Sequence, residues 1–415
     1  MIFDEYITQP RRFEKYIPVG KASTIITMEQ ASEDLSELLY LINNSYCGKE
    51  YWEKQGISFD LCYNEIADYI SENDEIYISD FCRKIHLSFN KGIVDNHFSF
   101  ASPLTGRLGY SKQFSAYFAN FVVEKTDNVY KVVRSNDDTV KIGSLVEGKG
   151  DCFYKTLSPK NKEYFLVGCR SFAIVKSIQL QIDGKYQNIP VHRCRAIRKS
   201  EQFDICMKLS MVNSVNIYRS NCCDYLNSLN ENTDFSAMGK KHRKDKVLVL
   251  DYLSNQGGYN RITREFIKGL NDYVHCEEHC AKLVSPVTEN KDCYREWIIE
   301  KSQPYDRETG KFDGTLIMLI NGDTASSGET AVLYAKSLKH FILMGENSMG
   351  CNTFGNVASY SLKHSKIIAR IPNTLNLCGN PDDCVEGKGF SPDFWVDSEN
   401  VQKDVLEWIK ENYNF

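Results

Sequence analysis

Three continuously apolar runs constrain this chain more than any other feature. "KVLVLDYL" (246–253), "TLIMLI" (315–320) and "FILMGE" (341–346) do not alternate apolar with polar residues, so each reads as a strand buried on both faces. Between the first two lies "RITREFIKGLNDYV" (261–274), in which Ile262, Phe266, Ile267, Leu270 and Val274 share one helical face. A second helix is expected from about Ser326 to Lys339, and a later strand at "SKIIARIP" (365–372). Strands of this kind joined by helical crossovers predict an α/β core over residues 240–415.

The two preceding stretches have different rhythms. Leu35, Leu38, Leu39 and Ile42, then Leu61, Ile66 and Ile70, then Phe81, Ile85 and Phe89 fall at helical spacing, which predicts a three-helix N-terminal domain over 1–99. Residues 100–239 carry short β-branched and aromatic runs such as "YFANFVVEK" and "VYKVVRS", broken by Gly, Asn and Asp, which predicts a β-rich middle region. The basic run "KKHRKDK" (240–246) reads as a solvated linker.

With 42% hydrophobic and 25% charged residues, the 415-residue chain has a globular composition. A net charge of -5 gives no global pull toward nucleic acid or an anionic membrane, and no run of 18 apolar residues occurs. Fifteen cysteines, an odd number at irregular spacing, are expected to be mostly reduced thiols. The first twenty residues lack an apolar signal region, so a cytoplasmic location is expected unless an export signal has been removed.

Two serines stand in "NGDTASSGE" (321–329), where a buried strand turns into a helix. This edge of an open α/β sheet collects ligands, and the unpaired N–H groups of a helix start can stabilise an oxyanion. The plainer reading is a cap, with Thr324 or Ser326 capping the helix and Glu329 completing a capping box.

Three motifs in order resemble the tail-specific, C-terminal processing peptidase and tricorn core protease family of serine peptidases. "DYLSNQGG" (251–258) is similar to that family's Asp-Leu-Arg-x-Asn-x-Gly-Gly turn, with Leu253 in place of the arginine. "TASSGE" resembles Ser-Ala-Ser-x-x-Glu, and "GFSPDFWV" (389–396) resembles Gly-x-x-Pro-Asp. The resemblance implies a crotonase-like β/α sheet for the catalytic core and Ser326 as the nucleophile. It also implies an oxyanion hole from Ser327 and Gly257 or Gly258, protein or unfolded-peptide substrates, and neither metal nor organic cofactor.

A serine hydroxyl needs a partner to take its proton. The processing peptidases use the lysine of a Gly-Glu-x-x-x-Gly-Lys loop, but "GENSMGC" (345–351) has Cys351 there, and a thiol of ordinary pKa near 8.5 does not replace the amine. The tricorn-like branch uses a histidine and a glutamate instead. "IVDNHFSF" and "VEGKGFSPD" resemble its two segments, which implies His97 as the base, Glu386 as the orienting acid, and Asn96 or Ser99 as polar support.

Other signals compete. "HCEEH" (275–279) fits an inverted zincin pattern, which needs both histidines on one helical face. "LCGNPDDC" (377–384) reads as a loop. "GCRSFAIVKSIQLQIDGK" resembles a degenerate PDZ strand, which would make the middle region a peptide-binding module. Retinoid-binding repeats share the same core, so a catalytically idle binding protein of apolar ligands or peptides is the alternative function.

Overall fold

The computed structural model describes residues 24–110, 113–127, 129–148, 150–196, 207–223, 233–272, 274, 279–283, 296–300, 309–377 and 386–413; at 279–283, 296–300 and 377 the backbone alone is described. The chain divides into two compact units, each assembled from separated stretches.

The first unit comprises residues 1–111, 278–301 and 351–382. Its helices are Met28–Ser45, Lys49–Glu53, Phe59–Ser71 and Ile78–Phe89. Thr27 and Gln30 open the first by bonding each other's backbone N–H, at 3.2 and 3.1 Å, which satisfies donors that a helix start leaves orphaned. Leu35, Leu38, Ile42, Ile66, Phe81, Ile85 and Phe89 enter one core with Phe98, Phe100, Phe354 and Ile371. Leu61 departs from the expected apolar face and is 64% exposed. The stripe of that helix starts at Phe59 and runs through Cys62, Ile66 and Ile70, so Leu61 falls off it.

An antiparallel sheet completes this unit, in the order Glu296–Glu300, His279–Leu283, Ile368–Leu377, Ser99–Ser102, Gly106–Gly109, with Phe354–Ser361 also paired to Ile368–Leu377. The sequence places the strand of "SKIIARIP" after the parallel strands. In the structure it begins at Ile368, and Ala369 pairs antiparallel with Phe100 in this separate sheet.

The second unit holds residues 112–277, 302–350 and 383–415. Strands Val215–Arg219, Val247–Asp251, Thr315–Ile320, Phe341–Gly345 and Phe394–Trp395 lie parallel and adjacent in a mixed sheet. Both faces are covered, as their unbroken apolar character requires. Leu248, Leu250, Met318 and Ile320 pack with Ile262, Phe266, Ile267 and Leu270 of the helix Arg261–Asn271. Val247, Val249, Ile317 and Leu319 pack on the other side with Val405, Leu406 and Ile409 of the C-terminal helix Val401–Tyr413. Each of these fully buried side chains contributes about 1.5–3 kcal/mol of hydrophobic stabilisation. Antiparallel strands, among them Ser115–Thr126, Val129–Ser135 and Tyr164–Ser171, extend the same sheet through Phe153–Thr156.

The architecture is therefore mixed α/β around a large central sheet, with helices near the N-terminus and a β-rich middle. Among the described residues no helix is long and apolar enough to cross a membrane, and the nine cysteines with described side chains are free thiols.

Candidate active site

The strand Thr315–Ile320 ends in a turn bonded on every side. Asn321 N–H donates to Thr324 Oγ1 at 3.0 Å, and the Thr324 hydroxyl donates to the Tyr252 carbonyl at 2.8 Å. Asn321 Oδ1 accepts from Ser254 N–H at 2.8 Å, and the Asn255 carbonyl accepts from Ala325 N–H at 2.9 Å. These bonds tie the turn after one parallel strand to the turn after its neighbour. The chain then reverses sharply at Ser326, with φ 52° and ψ -121°, immediately before the helix Ser327–Ala335. A non-glycine residue held there costs on the order of 1–3 kcal/mol, and such strain concentrates at functional sites.

The neighbouring turn places its glycines against this serine. Gly257 has φ 93°, and a Cβ on it would lie 2.8 Å from both the Ala325 carbonyl oxygen and Ser326 Cβ, so no larger residue fits. Gly257 N–H donates to Asn255 Oδ1 at 2.9 Å. The Ser327 hydroxyl donates to the Gly258 carbonyl at 2.6 Å. The two serines therefore differ: Ser327 Oγ is committed to the glycine turn, whereas Ser326 sits at the strained corner.

Glu386 lies half-buried in a turn at 386–388. Its loop is anchored to "GENSMG", with Gly387 N–H donating to the Gly350 carbonyl at 2.6 Å and Phe390 N–H to Ser348 Oγ at 2.7 Å. Cys351 is buried. Leu253, at the motif's arginine position, is also buried, and Asp251 instead pairs at 3.0 Å with Arg219 from the adjacent strand.

Glu346 was not singled out by the sequence reading. It is buried, and its Oε1 has no hydrogen-bond partner among the described residues. Burial pushes its carboxyl up to about 7, against the charge of Arg193 and the N–H groups of Ala116 and Gly322. A raised carboxyl pKa favours the fold while the group is protonated and is lost as pH rises from 4.5 through 7. Wild-type unfolding free energy, relative to Glu346→Gln, is expected to fall by about 3 kcal/mol between pH 4 and pH 8 in urea titrations; parallel curves would refute it.

His97 belongs to the first unit. Buried Asp95 positions its loop, with Oδ1 accepting from His97 N–H at 2.8 Å and Phe98 N–H at 3.0 Å, while Tyr46 O–H donates to Oδ2 at 2.8 Å. Arg107 donates to the Asn96 carbonyl at 2.7 Å and to Ser99 Oγ at 3.1 Å, so the Ser99 hydroxyl has a partner of its own. Among the described residues His97 Nδ1 has no hydrogen-bond partner. Burial first, then the charges of Arg107 and Arg370, push the imidazole down to about 4, against an opposing hydrogen bond with the Phe354 backbone.

The zincin pattern loses its helical premise. The helix Arg261–Asn271 stops at Asp272, which has φ 71°, and His279 opens the strand His279–Leu283. Residues 275–278 lie outside the described residues, as do 378–384 of the Cys-x5-Cys segment. Among the described residues no group of three His, Cys, Asp or Glu side chains is arranged to hold a metal ion.

The profile described as peptidase family S41 matches residues 225–396, which contain both turns, Ser326 and Glu386. This segment belongs to peptidase family S41. The S41 segment is that of a serine-type peptidase. Solved structures similar to the chain include mature CPAF complexed with lactacystin, at 11% identity and TM-score 0.49, covering 92% of this chain and 98% of that one. The photosystem II D1 C-terminal processing protease is 12% identical at TM-score 0.41, over 92% and 96% of the two chains. The tricorn protease is 12% identical at TM-score 0.42, over 92% of this chain and 35% of that one. No curated protein matches the chain in sequence. Two positions set this S41 segment apart from the processing-peptidase motifs: Cys351 follows "GENSMG" where those motifs have lysine, and Leu253 replaces the arginine.

Proposed function

We propose that the chain hydrolyses peptide bonds of proteins or unfolded peptides, with Ser326 as nucleophile, His97 as general base and Glu386 as the acid that orients the imidazole. The observation that carries the reading is the strained Ser326 at a helix N-terminus, beside backbone donors that keep their hydrogens available. Among the described residues neither Ser327 N–H nor Gly258 N–H has an acceptor. Gly257 N–H is held by Asn255, which favours Gly258 over Gly257 as the second oxyanion donor.

His97 is neutral above about pH 4, the form that can accept the serine proton, while the burial that lowers its pKa also makes it a weaker base than one poised near pH 7. With Cys351 at the lysine position, this histidine supplies the base that a Ser-Lys pair would otherwise provide. The segment resembling a PDZ module overlaps the strands Tyr164–Ser171 and Ser177–Ile182, which are paired on both sides, and on this reading the edge strand that follows them, Lys185–Pro190, receives a substrate tail. The catalytic core is taken as crotonase-like.

The test is labelling with a fluorophosphonate, mapped by peptide mass spectrometry, beside turnover of an unfolded protein with and without chelator. Adduct on Ser326 and chelator-insensitive turnover are expected. An absence of labelling together with a co-purifying apolar ligand would instead support the idle binding protein.

A further inference from the structure

Glu329 does more than cap a helix. It is fully buried in the first turn of Ser327–Ala335, and its carboxylate accepts from two functional loops. Oε2 takes Ser326 N–H at 3.2 Å, the bond a capping box would make. Oε1 takes the Ser348 hydroxyl at 2.6 Å and Gly350 N–H at 2.8 Å, from a loop 19 and 21 residues further along the chain. Ser348 Oγ in turn accepts Phe390 N–H at 2.7 Å, and Ser348 N–H donates to the Phe390 carbonyl at 3.1 Å. Gly350 adds a second tie, its carbonyl accepting Gly387 N–H at 2.6 Å. Met349 N–H donates to the Thr324 carbonyl at 2.9 Å, closing the circuit on the nucleophile's own turn.

Ser326 N–H, the Ser348 hydroxyl and Gly350 N–H all donate to this carboxylate, so only a group that accepts at both oxygens satisfies them. An amide of the same shape has one oxygen, and its NH2 would stand against Ser326 N–H or against the Ser348 and Gly350 donors. A buried donor left unpaired is destabilising, and here relief would come through movement of Ser326 or of the loop that follows Glu386.

We infer that Glu329 is a positioning residue: its carboxylate, accepting at both oxygens, holds the strained backbone of Ser326 and the loop carrying Glu386 in one register. The inference rests on the assignment of Ser326 and Glu386 proposed above. A capping role alone would change stability and leave the reactivity of the folded protein untouched, whereas a positioning role changes kcat and the chemical reactivity of Ser326.

The full-length chain, Glu329→Gln and Ser348→Ala are compared in fluorophosphonate labelling rate and in kcat and KM on a peptide substrate. Because small misplacements of catalytic groups cost on the order of 100-fold, Glu329→Gln is expected to lower both kcat and labelling rate by about that factor, with KM within about threefold. Ser348→Ala is expected to lower them by about tenfold. A folded Glu329→Gln protein that labels at the wild-type rate overturns the inference. If Glu329→Gln does not fold, Ser348→Ala decides: wild-type labelling refutes the inference and a tenfold loss supports it. A wild-type chain that never labels at Ser326 brings down the nucleophile assignment itself, an outcome distinct from either variant result.

Discussion

Alanine at position 326 is expected to lower peptide turnover by about a millionfold and to abolish fluorophosphonate labelling, with the folded structure retained. Loss of a nucleophilic serine has effects of this size because the residual catalysis comes from oxyanion donors and substrate binding alone. The structure separates this prediction from one at the adjacent hydroxyl. Ser327 Oγ donates to the Gly258 carbonyl at 2.6 Å, so Ser327→Ala frees the glycine turn and is expected to lower kcat by about tenfold while Ser326 still labels. Turnover that survives Ser326→Ala but disappears in Ser327→Ala would reverse the two assignments. The stability of Ser326→Ala should stay within about 1 kcal/mol of wild type, because the strained backbone is held by main-chain groups and Glu329 and the side chain is not part of the apolar core.

The parallel strands were legible because burial on both faces leaves a signature that no other strand environment produces. Val247–Asp251 and Thr315–Ile320 appear where their unbroken apolar runs predict them. The strand Ile368–Leu377 was visible as a strand but not in its pairing. Its partners at 99–102 and 279–283 are distant in sequence, and local periodicity carries no record of which edge a strand joins. Leu61 was misplaced because Phe59, the first residue of its helix, sets the stripe.

Among the site residues, the serine turn could be read from its strand-to-helix context, yet the division of labour between Ser326 and Ser327 depends on one hydrogen bond to Gly258. The commitment of Gly257 N–H to Asn255 was hidden in the same way, since a glycine pair in sequence says nothing of which amide stays available. Glu329 was legible only as a cap, because the local Ser-x-x-Glu spacing explains its bond to Ser326 N–H and conceals the two it makes to Ser348 and Gly350. Glu346 gave no signal at all beyond its place in a motif, since burial without a partner for Oε1 is a property of packing.

The second large effect is expected at His97. On the assignment proposed above, replacing it with alanine removes the proton acceptor, and kcat should fall by about 10,000-fold, with slow labelling of Ser326 remaining. The ring environment also fixes a pH profile. A base must be neutral to act, and burial together with Arg107 and Arg370 pushes this imidazole down to about 4, so the acid limb of kcat/KM in the wild type should fall below pH 5 rather than near 6.5. The same shift enters stability with a definite sign. A histidine whose folded pKa is depressed contributes stability above its unfolded pKa of 6.5, and that contribution is lost as pH falls toward 4, by about 3 kcal/mol. Asp95, raised to about 6 chiefly by burial, works in the opposite sense, losing its contribution as pH rises from 3.8 through 6. The two groups share one loop and offset each other in total stability over the same range, so the informative quantity is the difference between wild type and His97→Ala. That difference should shrink as the solution is acidified from pH 7 to pH 4 in urea titrations. If His97→Ala keeps kcat within tenfold of wild type, His97 is not the base. If the rate falls as expected but the acid limb sits near 6.5, the base assignment stands, and the imidazole in the working enzyme lies in a more solvated or more negative setting than the one formed by Arg107, Arg370 and the Phe354 backbone.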